Sequence, residues 1–468
     1  MPAEPALAAN EEPIVAVIHS TAAQPLALAW QAHCNAFLWG LGNGLVSTTL
    51  ASYLARQLGA AGLIFAIIFA SQNIAGGLRL FTPWILQWSG SRKWFSIGTF
   101  VVSCLLLLIL PEICEPGAKE QNAWKLWAFV GLWGGWHLAM FAGAIALWSW
   151  IGDLVPSRRR GKFIGVRQAW LMIGQILGLV AAGVFAYKYP EWNPQLSPAE
   201  VRWDALSWPA LAGAIAMLLA VLPLLVMPDI PFRALKQNHA RELLNAVVDR
   251  RFLPLLTFWC YAGLVNGVSQ AVQGLYPLIV LKLPPSTTLA MVALMHLGQI
   301  LISPLIGYFA DRGYSRSIMI VSQIFVSVAL FFFPLVLTNL AGKQFPLGMW
   351  LAYGFWIAYA GLNVCLPHLM LKLSPGENSP PYISLYFSLS GLAVALSSIL
   401  CGLWFDSLAK DYALNLAGWS LDRFEIFFYA GGLLRLTSVV WLCLLPRGAG
   451  TSVKIGHVLT APQLTTRS

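Results

Sequence analysis

Apolar runs of roughly 20 residues, separated by short segments that hold nearly all the charge, recur along almost the whole chain. At a rise of about 1.5 Å per residue, that is the length a helix needs to cross hydrocarbon. The runs are continuous rather than alternating, which argues against a β-barrel, and only helices or closed barrels satisfy every backbone group in lipid. The expected fold is therefore an all-α integral membrane bundle. Twelve spans are placed at 28–55, 60–87, 94–112, 124–151, 163–188, 207–227, 254–281, 287–310, 317–340, 347–371, 381–405 and 425–445.

Composition supports lipid as the solvent. With 58% hydrophobic and 10% charged residues, the 468-residue chain has more apolar surface than a water-soluble core of ordinary proportions can hide. The net charge of +10 does not point to nucleic acid, because Lys and Arg fall in short loops and not on one soluble face. They read as topology signals instead. With both termini in the cytoplasm, about seventeen basic residues fall inside and about nine outside, the bias of a plasma (inner) membrane protein. Seven cysteines lie mostly within apolar runs and show no CxxC spacing, so neither a metal site nor a disulfide framework is expected.

Residues 1–27 contain Glu4, Glu11 and Glu12 but no Lys or Arg, unlike the basic start of a signal peptide, and read as a disordered cytoplasmic tail. The other units expected are a six-helix bundle at 28–227, a cytoplasmic linker at 228–253, a second six-helix bundle at 254–445 and a cytoplasmic tail at 446–468. In the linker, Phe232, Leu235, Leu243, Leu244 and Val247 recur at helical spacing opposite Arg233, Lys236 and Arg241, which predicts an amphipathic surface helix.

Sliding the second half onto the first reveals weak self-similarity at an offset of roughly 220 residues. Asn43-Gly44 followed by Tyr53 matches Asn266-Gly267 followed by Tyr276, Thr82-Pro83 matches Ser303-Pro304, and Asp153-Leu-Val-Pro156 matches Lys372-Leu-Ser-Pro375. A duplicated six-span unit implies two pseudo-symmetric bundles with a central site between them, opened alternately to each side.

The segment Gly307-Tyr-Phe-Ala-Asp311-Arg312-Gly313-Tyr-Ser-Arg316, between spans eight and nine, resembles the loop signature of the major facilitator superfamily. Asp153-Leu-Val-Pro156 with Arg160-Gly161 and Arg167 is similar to a stretch common in its bacterial members. The resemblance implies twelve helices in two bundles and an inner gate drawn from Asp311, Arg312, Arg316, Asp153, Arg160 and Arg167. Asp311 would then meet the positive dipole end of span five. The matching loop of the first half, Gln87 to Lys93, departs from the pattern because it lacks an aspartate.

An ionisable side chain in hydrocarbon is costly and points to function. Arg79, late in span two, either grips an anion in the central cavity or reaches back to the inner surface. Arg435, in span twelve, reads as part of an outer support. Asp153, Asp311, Asp406, Glu112 and Glu425 fall at helix ends, leaving no carboxylate deep in any span to carry a proton. Coupling to a proton would then fall to His33, His137, His296 or His368, or to the solute itself. Further substrate-binding candidates are Asn43, Gln168, Asn266, Gln270, Gln273 and Asn363, polar groups that lipid tolerates only when paired or wet.

Walker, Rossmann and HExxH motifs are absent, so neither an ATP-driven pump nor an enzyme is expected, and no cofactor. The reading is a secondary transporter, coupled (symporter or antiporter) or facilitative, moving a small anionic or neutral solute as a monomer in a lipid bilayer, without nucleic acid. The alternative is a transport-inactive sensor or assembly factor on the same scaffold.

Overall fold

The computed structural model describes residues 23–46, 54–55, 58, 73–116, 119–230, 239–281, 283, 285–338, 344–374, 379–409, 411–416 and 419–445. The first six helices are α1 (Ala23–Val46), α2 (73–89, with a 3₁₀ turn at Arg79–Phe81), α3 (Arg92–Ile113), α4 (Lys119–Leu154), α5 (Arg160–Trp192) and α6 (Pro198–Leu219, continued by Leu222–Val226). The second six are α7 (Leu253–Ile279), α8 (Pro285–Phe309), α9 (Ser315–Phe332), α10 (Leu347–Phe355 and Tyr359–Leu373 joined by a 3₁₀ turn), α11 (Ser379–Ser407) and α12 (Arg423–Cys443). Each helix falls on one predicted span, the second over its later part only. Among the described residues, eight helices are long and apolar enough to cross a membrane, or nine with a pair bent by 90° around Asp249, and one of the eight joins α8 to α9.

One boundary departs clearly from expectation. The ninth span was placed to residue 340, but α9 ends at Phe332 and Leu337–Thr338 pair antiparallel with Gln344–Phe345. Pro334 accounts for this, since its missing N–H and ring end a helix near the residue before it. A second hairpin, Ala413–Leu416 with Trp419–Asp422, precedes α12. Its Asp422 caps α12 by accepting from the Glu425 amide at 2.8 Å.

The linker carries a helix at His239–Val248, while Phe232, Arg233, Leu235 and Lys236 lie outside the described residues. Its buried face is not the one expected. Glu242 and Ala246 are buried and Leu243 partly so, whereas Leu244, Val247 and Val248 are exposed. The small Ala246 lets the helix rest close on α7 and α11, and the longer apolar side chains point away, as on a helix lying in a membrane interface.

The two lobes repeat one packing scheme. In the first, α1 packs on α5 and α6, α3 on α4 and α6, and α2 on α4; in the second, α7 packs on α11 and α12, α9 on α10 and α12, and α8 on α10. Adding six to each helix number converts one set into the other. Glycines make the closest of these contacts. A methyl group on Gly40 or Gly44 would run into the backbone of Leu171 or Gln175 on α5, and one on Gly263 or Gly267 into that of Ser390 or Val394 on α11. The match extends to the offset seen in the sequence.

Between the lobes, α5 lies on α8 and α2 on α11, with α4 and α10 closing the gap. A buried apolar cluster crosses there, joining Ile145 and Ile164 of the first lobe to Leu362, Leu366 and Leu369 of the second. It seals the end of the molecule where the α4–α5 and α8–α9 loops lie, here called the sealed face.

Alanine at Gly44 or Gly267 should lower the unfolding temperature of the detergent-solubilised chain, because overpacking a backbone contact costs about 1–3 kcal/mol. Gly98→Ala, where nothing lies within 4 Å of the added methyl, serves as the control and should be neutral or slightly stabilising. Thermal unfolding followed by thiol-reactive dye measures both.

Candidate functional site

At the sealed face, helix α5 begins after the Pro156–Arg159 turn without a side-chain cap of its own, so its first amides are free to take an acceptor. The other lobe provides one. Asp311 accepts from the Gly161 amide at 2.6 Å through Oδ1 and from the Lys162 amide at 2.8 Å through Oδ2. A carboxylate here meets both the unpaired donors and the positive end of the helix dipole. The approach requires two glycines, because a methyl group on Gly161 or Gly307 would collide with backbone of the facing helix. Behind Asp311, His368 Nε2 lies 3.6 Å from Oδ1, and its Nδ1 is 3.2 Å from Ser315 Oγ. Arg160 adds a further cross-link, donating to the Leu371 carbonyl at 3.1 Å across the lobes and to Gly152 at 2.6 Å within its own.

A further contact across the lobes lies where α4 meets the start of α11, the counterpart of the place where Arg160 of α5 meets α10. Ser149 Oγ lies 2.7 Å from Ser379 Oγ of the other lobe. Arg92 stands behind it, donating to Ser149 at 3.1 Å and pairing with Asp153 at 2.6 Å. Asp153 therefore serves its own lobe rather than reaching across. The first-half loop, Gln87 to Lys93, has no aspartate to offer, and the contact at this place is made by two hydroxyls on other helices.

Neither Arg312 nor Arg316 makes a described contact with the opposite lobe. Arg312 is exposed, its guanidinium 3.5 Å from the centre of the Tyr308 ring. Arg316 donates to Leu445 at 3.0 Å and Cys443 at 2.6 Å, closing the end of α12. Lys93 does the same for α6, donating to Leu225 at 2.8 Å and Met227 at 2.7 Å. The family loop thus contributes one latch residue and one helix cap, and the cap has its counterpart in the first lobe.

Toward the middle of the bundle, Arg79 projects from α2 with its guanidinium carbon 3.5 Å from the Phe141 ring centre on α4 and 5.5 Å from that of Phe387 on α11. No described residue accepts a hydrogen bond from it, and its Nε is buried without a partner. His137, one turn along from Phe141, is boxed by Trp133, Trp136 and Phe141 with both ring nitrogens unpartnered. Arg167 on α5 is buried 5.1 Å from the Trp148 ring centre on α4, and its Nε is likewise unpartnered.

The other sequence candidates scatter. Asn43, Gln168, Asn266 and Asn363 are partly exposed on α1, α5, α7 and α10, without hydrogen bonds to described residues. Gln270 is exposed and accepts from Ser398 at 3.4 Å, while Gln273 donates to Ser269 at 2.7 Å. His296 is buried on α8 with Nδ1 unpartnered. Arg435 is a core residue of the second lobe, donating to Tyr359 Oη at 3.0 Å and Ser269 Oγ at 3.4 Å. Sequence reasoning passed over Ser149, Ser379 and the aromatic partners Phe141, Trp148 and Phe387, of which the spaced rings on α4 were detectable as a pattern. Among the described residues, no three His, Cys, Asp or Glu side chains gather as a metal site would require.

Comparison with known proteins agrees with this architecture. The proton:xylose symporter XylE, solved with 6-bromo-6-deoxy-D-glucose, superposes with a TM-score of 0.62 at 13% identity, over 92% of this chain and 97% of that one. The human organic anion transporter MFSD10 (TETRAN) superposes with a TM-score of 0.57 at 14% identity, over 89% and 99%. At such identities these likenesses speak for the fold. In sequence, 146 residues are 24% identical to solute carrier organic anion transporter family member 1B2 of Mus musculus, covering 29% of this chain. The matched segment spans only 21% of that relative's length. The family model of the Major Facilitator Superfamily matches residues 32–398. With that match over most of its length, and with two six-helix lobes latched across one face, the chain belongs to the Major Facilitator Superfamily.

Proposed function

We propose that this protein is a secondary transporter that carries a small organic anion across a membrane by alternating access, with Arg79 as the principal solute contact. One observation carries the anion reading. Arg79 and Arg167 lie between helices with no acceptor among the described residues, and none of the 19 acidic residues of the sequence falls deep in a span. A buried cation without a counter-charge is costly, and an anionic solute supplies the missing charge. Guanidinium groups set against aromatic rings suit a carboxylate or sulfonate attached to an apolar body. The names of two similar proteins, the human MFSD10 and the mouse solute carrier, both specify organic anions.

In this reading the sealed face is cytoplasmic, as the basic loops favour, and both termini lie on that side of a plasma membrane. The cleft lies between lobes of one chain, so a monomer suffices as the working unit. The Asp311 contact and the Ser149–Ser379 contact form the inner gate, and the state described is closed inward. Proton coupling, where present, has histidine or the solute as its carrier. Uptake into vesicles containing only this protein is the test. Saturable flux of benzoate, benzenesulfonate or fluorescein, with no flux of matched cations, is the expected result; an inert chain would favour the sensor reading.

Arg79→Gln should lower anion affinity by about ten- to a hundredfold, the worth of roughly 1.5–3 kcal/mol for a hydrogen bond to a charged group, while Arg79→Lys should retain part of it. Titration calorimetry on the solubilised protein measures this. Asp311→Ala should cost the sealed state about 1–2 kcal/mol and raise the opened population ratio roughly 5- to 30-fold. Spin labels on Arg158→Cys and Arg312→Cys report the change as longer distances across the sealed face. Arg316→Ala, which uncaps α12 inside one lobe, should lower the unfolding temperature instead and leave those distances in place.

A further inference from the structure

Two of the aromatic residues on helix α4, Phe141 and Trp148, are seven residues apart. Seven residues are two helical turns, so the rings lie on one face about 10 Å apart. Each has an arginine against it: Arg79 from α2 on Phe141 and Arg167 from α5 on Trp148. The other buried arginines are satisfied otherwise, Arg92 by Asp153 and Ser149, and Arg435 by Tyr359 and Ser269. Among the described arginines, these two alone, Arg167 buried and Arg79 half-buried, have a buried Nε and no hydrogen-bond acceptor from the described residues.

Their surroundings differ in one respect. Arg79 stands in the middle of the bundle, between α2, α4 and α11. Arg167 stands two turns nearer the sealed face, where Trp148 and Phe163 pack on the cross-lobe cluster that contains Leu362, Leu366 and Leu369 of α10. His33 of α1 joins it there, its ring 5.2 Å from Phe163, which precedes Arg167 by one turn of α5. Arg167 is 9% exposed, set against Trp148, a ring that itself packs on that cluster. Withdrawal of α10 as the lobes part would uncover it.

We propose that Arg167, backed by Trp148 and flanked by His33, is a second anion-holding station on the solute path, closed off while the inner gate is shut and occupied once it opens. Resting on the anion-carrier reading above, the inference adds a sequence to it: the oxyanion is held first at Arg79 and then two turns further along α4 at Arg167. In the sealed state the unpaired guanidinium is an unfavourable buried charge. Opening the gate hydrates it, and the arriving anion neutralises it. The ligand class is the one named above, an oxyanion on an apolar body.

The experiment uses the full chain in two backgrounds, the natural sequence and Asp311→Ala, whose sealed face is weakened. Affinity for benzoate, benzenesulfonate, inorganic phosphate and fluorescein is measured by titration calorimetry in each, with Arg79→Gln, Arg167→Gln or Arg167→Lys added. The expected result is a tenfold or greater loss from Arg167→Gln in the Asp311→Ala background, a much smaller loss in the natural one, and partial recovery with Arg167→Lys. If Arg79→Gln weakens binding and Arg167→Gln does so in neither background, the second station is refuted and the anion carrier stands. Equal losses from Arg167→Gln in both backgrounds, or from Arg167→Lys as severe as from Arg167→Gln, would also refute it, by making Arg167 part of the first site or a packing residue. Absence of binding by all four probes, or indifference to Arg79→Gln, removes the anion reading and this inference together.

Discussion

The relation between the two lobes depends on a contact between a side chain and bare backbone. Asp311 reaches the first amides of α5, at 2.6 and 2.8 Å, across a place where Gly161 and Gly307 let the chains nearly touch. Free amides at a helix start attract negative charge strongly, and a carboxylate with two oxygens can serve two of them at once. A buried apolar cluster crosses between the lobes at the same face. The latch and the cluster therefore act together. Hydrophobic burial holds the lobes in proximity without regard to direction, and the carboxylate fixes their register.

Duplication preserved positions more faithfully than chemistry. Gly40 and Gly44 have counterparts in Gly263 and Gly267 because backbone proximity allows no other side chain there. Lys93 and Arg316 correspond because each sixth helix of a lobe ends with carbonyls that need a donor. Elsewhere the copies diverged: a carboxylate on amides closes one seam and a pair of hydroxyls the other. Packing constraints are shared by both lobes, whereas the face between them occurs once and its two sides are free to differ.

Much of this was legible from the chain alone, for identifiable reasons. The spans were visible because hydrocarbon demands long uninterrupted apolar runs, and the repeat because glycine contacts and Ser/Thr-Pro pairs tolerate little change. Asp311 could be directed to the start of α5 because a motif tied it to that helix. Arg316 could not be told from a gate residue, since its role depends on where α12 ends, more than a hundred residues later. The end of α9 was overrun because Pro334 lies within an apolar stretch that hydropathy alone extends. On the linker, periodicity identified the helix but not its orientation, which Ala246 decides by being small. Arg167 was placed with the gate by its neighbours in sequence, and only the ring of Trp148 gives it a distinct setting.

The glycine contact between α5 and α8 also bears on how readily the two lobes could part and meet again. Ordering a long side chain at an interface costs up to about 2 kcal/mol of rotamer entropy, which must be surrendered each time the interface forms. Gly161 and Gly307 have no rotamers to surrender, and the amides that meet Asp311 are already held by their helix. Reclosure at this seam would thus require little conformational search beyond bringing two rigid bodies into place, a property suited to the repeated opening that the proposed transport cycle calls for.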